Sequence, residues 1–175
     1  MVRKDPEDQT SEEIEKQYIA VYELPSMKMC EDADGNRTSI YVDGLEEFRW
    51  SPKTNVLIYT HFPQLSDNAF PRVLFQEIPS RRNLHIHTAK DSLEMQLYFH
   101  PQGSFLAVVN KIQVKKNFRY TVDIFDISEL YKSVPQQQII IERDVETFHG
   151  CVWEPHQSKL AIHTLSKKVL EAGQK

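Results

Sequence analysis

The sequence predicts an all-β protein whose strands form the four-stranded blades of a partial, open β-propeller. A short motif carries this prediction: an apolar residue lies four positions before a proline, and a large aromatic residue lies two positions before it. The motif occurs three times and ends at Pro52, Pro101 and Pro155. The copies are about 50 residues apart, a spacing typical of solenoids and propellers. We therefore expect one structural unit to recur along the chain.

Each motif begins a predicted β-hairpin. Phe48 and Trp50 alternate with polar residues, so they are expected to face one side of a strand. After the turn Ser51–Asn55, the run Val56–Tyr59 is almost entirely apolar, which predicts a strand that is covered on both faces. Equivalent second strands are predicted at Phe105–Val108 and Leu160–Ile162.

Two further strands complete each predicted unit. Third strands are expected at Val73–Ile78 and Val122–Ile127, which begin at the same distance after their motif prolines. An earlier copy, Ile19–Leu24, precedes the first hairpin. More polar fourth strands are predicted at Ser39–Val42, Leu84–His87 and Ile139–Glu142. Four antiparallel strands in about 50 residues describe a propeller blade.

The predicted blades are degenerate relatives of WD repeats. Phe125-Asp126 ends a third strand where WD repeats carry Trp-Asp, but the usual Gly-His pair is absent. Residues 17–165 then hold the end of one blade, two whole blades and the first hairpin of a fourth. Residues 1–16 are assigned to an acidic insert or loop, and residues 166–175 to a charged tail. Because an open array exposes strand edges, we expect a piece of a longer propeller.

Two segments outside the blades carry weaker patterns. Thr10 and Glu13 are spaced as a capping box, which predicts a short helix or a solvated loop. Asp32–Asn36 resembles part of a calcium-binding loop, but glutamate is missing from the twelfth position. We therefore expect a turn there, with Gly35 at positive φ.

Composition limits the class of protein. The 175 residues are 40% hydrophobic, enough for a core, and the net charge of −4 argues against a surface that is wholly a nucleic-acid clamp. No apolar run reaches the ~18 residues of a membrane span, and no secretory signal is visible. Cys30 and Cys151 form no CxxC motif, which favours reduced thiols. We expect a cytoplasmic protein with no membrane partner.

The sequence shows no pattern of catalysis. It lacks GxSxG, the P-loop and GxGxxG, so no nucleophile or phosphate-binding loop is predicted. His85 and His87 lie on one face of a predicted outer strand, but no further ligands accompany them. We interpret them as surface histidines and predict no metal, no cofactor, no small-molecule substrate and no enzymatic activity.

One basic segment is a candidate contact surface. Residues 111–119 contain Lys111, Lys115, Lys116 and Arg119 and no acidic residue. The segment is predicted to be the loop between the second and third strands of a whole blade, where lysines could neutralise phosphates. The alternative is a loop that is basic only because it is solvated. Arg81 and Arg82 are expected on the opposite rim.

Four strings carry a resemblance to a known family, in this order: Val21–Met27, Phe48–Pro52, Pro71–Leu74 and Val152–Pro155. They resemble the C-terminal half of the propeller in the B-subunit family of eukaryotic translation initiation factor 3. The resemblance implies a nine-bladed propeller in a cytoplasmic, non-catalytic scaffold protein. It also implies binding to other subunits of the factor and to the small ribosomal subunit, through ribosomal proteins and rRNA. The family's RNA-recognition motif and C-terminal helix have no counterpart here.

Three alternatives to this family are considered. The related propeller of translation initiation factor 2A shares the Trp-Ser-Pro hairpin, although the string Tyr22–Met27 favours the B-subunit family. A generic WD-repeat interaction scaffold would share the blade pattern. A propeller serine peptidase would need a catalytic domain, for which the sequence gives no support.

Overall fold

The computed structural model describes residues 17–63, 70–132, 135–143 and 147–165. The predicted acidic insert, with its capping box, and the charged tail lie outside these ranges. The described residues form strands without any helix, and so include no helix that could cross a membrane. The strands are β1 (Gln17–Ala20), β2 (Tyr22–Glu23), β3 (Lys28–Met29), β4 (Ser39–Val42), β5 (Leu45–Trp50), β6 (Val56–His61), β7 (Arg72–Glu77), β8 (Asn83–Thr88), β9 (Ser92–Phe99), β10 (Phe105–Val114), β11 (Asn117–Asp126), β12 (Gln136–Arg143), β13 (Thr147–Trp153) and β14 (Leu160–Leu165).

The strands form the blades that the sequence predicts. Sheet I contains β5, β6, β7 and β8 in that order, and sheet II contains β9 to β12 in the same arrangement. All neighbouring strands are antiparallel. Strands β1 and β4 pair ahead of sheet I, and the hairpin β13–β14 follows sheet II. The all-β fold class and the partial, open propeller are confirmed.

The core consists of three apolar clusters, one between each pair of successive layers. Leu57 and Tyr59 of β6 pack toward Ile19 in the preceding layer. Val56 and Ile58 point to the other side and join the apolar residues of sheet II. Both faces of β6 are therefore buried, which explains its nearly continuous apolar sequence. In the third cluster, Val109 of β10 packs with Trp153.

The motif aromatics face the preceding layer. Trp50 pairs directly with Leu57, and Trp153 pairs with Leu160, so each shares a face with a residue that points backward along the array. Trp153 is 7% exposed because sheet II covers it. Trp50 is 44% exposed, since the described part of the preceding layer does not cover it. One sequence position thus has two degrees of burial.

The predicted strand Ile19–Leu24 is wrong in one respect, because it is interrupted at Val21. The backbone N–H of Val21 donates to the carbonyl of Thr38, and its own carbonyl accepts from the N–H of Cys30. These two residues bound the segment that separates β3 from β4, so the pairing strand leaves and returns at this point. Within that segment Gly35 has φ +77°, and the predicted turn is confirmed.

Candidate functional site

The basic segment is a hairpin, and the prediction of a loop over residues 111–119 is wrong. Strands β10 and β11 pair continuously from Phe105 opposite Asp126 to Val114 opposite Asn117. Only Lys115 and Lys116 remain as a two-residue turn. Lys115 has φ +59°, as two-residue hairpin turns require, and its carbonyl accepts a hydrogen bond from Gln113 Nε2 at 3.2 Å. The strands are long because Ile112 and Val114 continue their apolar alternation.

This hairpin projects beyond its sheet. Pairing with β9 ends at Ile112, and pairing of β11 with β12 ends at Tyr120. We call residues 113–119 the hairpin tip; among the described strands it pairs only with itself. The tip lies on the rim that carries the connections between second and third strands. Arg81, in the next connection along sheet I, lies on the opposite rim, as the sequence predicts, and contacts Asp32 at 3.4 Å.

The four predicted cations do not share one face. Lys111 pairs with Tyr120, whereas Arg119 pairs with Ile112, so Lys111 and Arg119 lie on opposite faces of the hairpin. Lys111 Nζ is 3.3 Å from Glu94 Oε2, which partly compensates its charge. Lys115 and Lys116 are both exposed at the turn. The structure therefore brings together two of the four cations, and their role as a contact stays a prediction.

Phe118 is a feature of the tip that the sequence reasoning did not single out. Its side chain is 45% exposed, and Lys111 Nζ lies 5.0 Å from its ring centroid. Such cation–π contacts contribute about 0.5–1 kcal/mol at exposed sites. The signal was available in the sequence, because Phe118 is an aromatic residue in an otherwise polar turn region with no acid. A phenyl ring beside two free lysines offers both stacking and charge.

A second exposed phenylalanine lies on the same rim. Phe70 precedes β7 and is 44% exposed, and Lys90 Nζ is 5.4 Å from its ring centroid. Asp91 follows Lys90 directly and offsets its charge. The hairpin tip therefore differs from this pair in having cations without adjacent acids.

The inner strands carry charge of the opposite sign. Glu46 and Glu47 of β5 and Glu94 of β9 line a cleft of about 380 Å³. Burial raises the pKa of Glu46, and the nearby charge of Glu94 raises it further. Glu47 is engaged, since Oε1 lies 2.7 Å from Arg49 and Oε2 accepts the Leu97 N–H at 2.7 Å. This cleft repels phosphate, so an anionic partner is confined to the outer rim.

The interpretation of His85 and His87 as surface histidines is wrong. Both are partly buried, because β11 of sheet II packs over β8. The ring centroid of His87 lies 5.0 Å from that of Phe125, and its Nε2 lies 3.7 Å from Asp123 Oδ2. Burial, followed by the charge of His87, lowers the pKa of His85. Within the described ranges, no group of three or more His, Cys, Asp or Glu side chains could hold a metal ion.

The fold and its surface define a class of protein: an open array of propeller-type sheets that presents turns and hairpins at two rims. The comparisons name a family within this class. The chain is similar to the B-subunit of eukaryotic translation initiation factor 3 of Aspergillus clavatus, with 27% identity over 171 residues, covering 91% of this chain and 22% of that protein. The same protein of Schizosaccharomyces pombe is 26% identical over 165 residues, covering 89% and 21%. That of Mycosarcoma maydis is 27% identical over 166 residues, covering 83% and 21%.

These comparisons confirm the resemblance to the B-subunit of eukaryotic translation initiation factor 3. The chain spans about a fifth of the length of the curated relatives it matches. No protein-family model matches the chain.

Proposed function

We propose that this chain is the propeller portion of a translation initiation factor component and acts as a non-catalytic scaffold in the cytoplasm. In this proposal it docks on the small ribosomal subunit and holds other subunits of an initiation factor 3 complex. The observation that carries the proposal is the similarity to the B-subunit of that factor over 91% of the chain. A match of that extent includes both whole sheets, and therefore the surfaces through which a scaffold binds.

The distribution of charge supports contacts with several partners. The outer rim presents Lys115 and Lys116, whereas the inner cleft is lined by glutamates. Surfaces of opposite sign on one rigid array favour different partners and suppress wrong ones. Lys111, Lys115, Lys116 and Arg119 are proposed as ribosome or partner contacts, with the two turn lysines as the most accessible.

Sedimentation tests this proposal. The full-length natural polypeptide, tagged and purified from its own cells at low salt, is expected to co-purify with other initiation factor subunits. It is also expected to co-sediment with small ribosomal subunits in a sucrose gradient. A polypeptide that purifies alone and remains at the top of the gradient would contradict the scaffold role and would favour a solitary factor of the 2A type.

A chemical probe tests the absence of catalysis. A fluorophosphonate that labels active-site serines is expected to leave the purified full-length polypeptide unlabelled, at a concentration that labels a serine peptidase control completely. Stoichiometric labelling would contradict the proposal in favour of a propeller peptidase.

A further inference from the structure

We propose that the hairpin tip binds single-stranded RNA, with Lys115 and Lys116 contacting phosphates and Phe118 stacking on a base. The inference rests on the proposed function for the source of the RNA, which would be an accessible strand on the small ribosomal subunit. The chemistry itself comes from the tip: two adjacent cations, an exposed aromatic ring and no acidic residue in the segment 111–119.

The charges of the turn are available for a ligand. Within the described part of the chain, Lys115 and Lys116 take part in no ion pair, and both side chains are exposed. Glu94, the acid nearest to the hairpin in these contacts, is bound to Lys111. An approaching phosphate therefore meets two uncompensated ammonium groups and displaces no internal partner. Each phosphate neutralised releases counterions, which makes such binding sensitive to salt.

The ring is held in place. Lys111 lies over Phe118 at 5.0 Å and is itself tied to Glu94 at 3.3 Å. This chain of contacts fixes the ring at the base of the tip, beside the turn lysines, while leaving 45% of the side chain exposed. Stacking of a base on an exposed aromatic side chain contributes about 1–3 kcal/mol. Lys111 is thus a positioning residue rather than a phosphate contact.

A single strand fits this chemistry better than the two other anionic partners. Bases in duplex RNA are stacked on one another and read mainly by shape, so a ring such as Phe118 could not reach their faces. An acidic peptide would use Lys115 and Lys116 but would gain nothing specific from stacking on Phe118. The combination of ring and cations therefore favours an unpaired strand.

Site-specific crosslinking tests the inference. The full-length polypeptide is titrated with a 12-nucleotide oligouridine that carries 4-thiouridine, irradiated, and digested, and RNA-bearing peptides from residues 113–119 are quantified by mass spectrometry. Readout at the tip avoids interference from any other RNA-binding site. Crosslinking is expected to saturate, and a short duplex or an oligoglutamate peptide is expected to compete at least tenfold less well than unlabelled oligouridine.

Variants separate stacking from charge. Phe118→Ala is expected to raise the RNA concentration for half-maximal tip crosslinking by about 5- to 150-fold, the equivalent of one stacked base, whereas Phe118→Tyr should keep it within twofold. Lys115→Glu/Lys116→Glu should weaken binding and lower the salt slope by about 1.4. The matched control is Lys53→Glu/Lys159→Glu, which makes the same charge change in exposed turns of the opposite rim and should have no effect.

Several results would overturn the inference: no crosslinks at residues 113–119, an unchanged titration for Phe118→Ala, or stronger competition by the duplex or the acidic peptide. Stronger competition by the peptide would assign the tip to a protein partner. The proposed function fails separately, by loss of co-sedimentation. If the wild-type protein co-sediments with small ribosomal subunits but the tip does not crosslink, the scaffold proposal stands and the RNA-binding tip is wrong.

Discussion

The indole Nε1–H of Trp153 donates a hydrogen bond to the carbonyl oxygen of Tyr98, 2.8 Å away in the preceding sheet. The same indole stacks on Phe105, with 5.9 Å between ring centroids and an interplanar angle of 18°. His100 meets it edge-on at 5.4 Å. The aromatic residue of one motif thus binds the residues that surround the proline of the previous motif. This contact joins consecutive repeats and explains why the motif places its aromatic residue at this position.

Trp153→Phe should lower the free energy of unfolding by about 1–3 kcal/mol, because the carbonyl of Tyr98 loses its donor at a partly buried site. Trp50→Phe is the matched control: it changes the same motif position where the indole is 44% exposed, and should have an effect below about 0.5 kcal/mol. Urea denaturation of the full-length polypeptide, followed by circular dichroism, measures both. Equal losses for the two variants would contradict a specific role for the Trp153 contact.

A second bond between sheets joins Glu47 to the backbone of Leu97. Glu47→Ala leaves that N–H without an acceptor and should lower the free energy of unfolding by about 1–3 kcal/mol. Glu47→Gln keeps a carbonyl oxygen at the same place and should recover most of the stability. Hydrogen exchange of the Leu97 amide, measured by mass spectrometry, should accelerate in the alanine variant only. Equal exchange in both variants would show that Glu47 does not protect this amide.

The sequence predicts the sheets because burial of both faces leaves a strong pattern. Val56–Tyr59 and Phe105–Val108 are apolar at every position, and both are central strands between two clusters. The equivalence of β2 and the end of β7 was also readable. Glu23-Leu24-Pro25-Ser26 matches Glu77-Ile78-Pro79-Ser80, and in both the residue after the serine donates its N–H to the glutamate carbonyl at 2.8 Å.

The tip was harder to predict because its strands are held by backbone pairing without a core. Residues 113–119 have no neighbouring strand outside the hairpin, so their polar sequence indicated a loop. The positions of His85 and His87 depend on sheet II, which lies far along the chain, and a pattern local to β8 carries no information on that packing. The separation of Lys111 from Arg119 follows from strand register, which the prediction of a loop excluded.

Acid should destabilise the fold through His85. Burial and the charge of His87 lower its pKa from the ordinary value of 6.5, so the unfolded chain binds a proton more readily than the folded protein does. The stabilising contribution is complete above about pH 6.5 and is lost as the pH falls toward the folded pKa. His85→Gln should therefore show a shallower decline in the free energy of unfolding between about pH 7 and pH 5.

Urea denaturation at intervals of half a pH unit measures this slope. The pKa of His61 is also lowered, first by burial and then by the charge of Arg72, so part of the decline should remain in the His85 variant. The double variant His61→Gln/His85→Gln should be shallower still. A His85→Gln slope identical to that of the wild type would contradict the assignment.

Two glycines with similar backbone conformations should respond differently to substitution. Gly44 has φ +67° and Gly35 has φ +77°, so alanine at either position is strained by about 1–2 kcal/mol. At Gly35 the added Cβ meets open space, whereas at Gly44 it would overlap the carbonyl oxygen of Phe62. The N–H of Phe62 also bonds to the Gly44 carbonyl at 2.8 Å, so the two segments cannot separate without losing that bond. Gly44→Ala should therefore lower the free energy of unfolding by a further 1–3 kcal/mol or so relative to Gly35→Ala. Urea denaturation of the two variants side by side measures the difference, and equal losses would show that the connection at Phe62 yields freely.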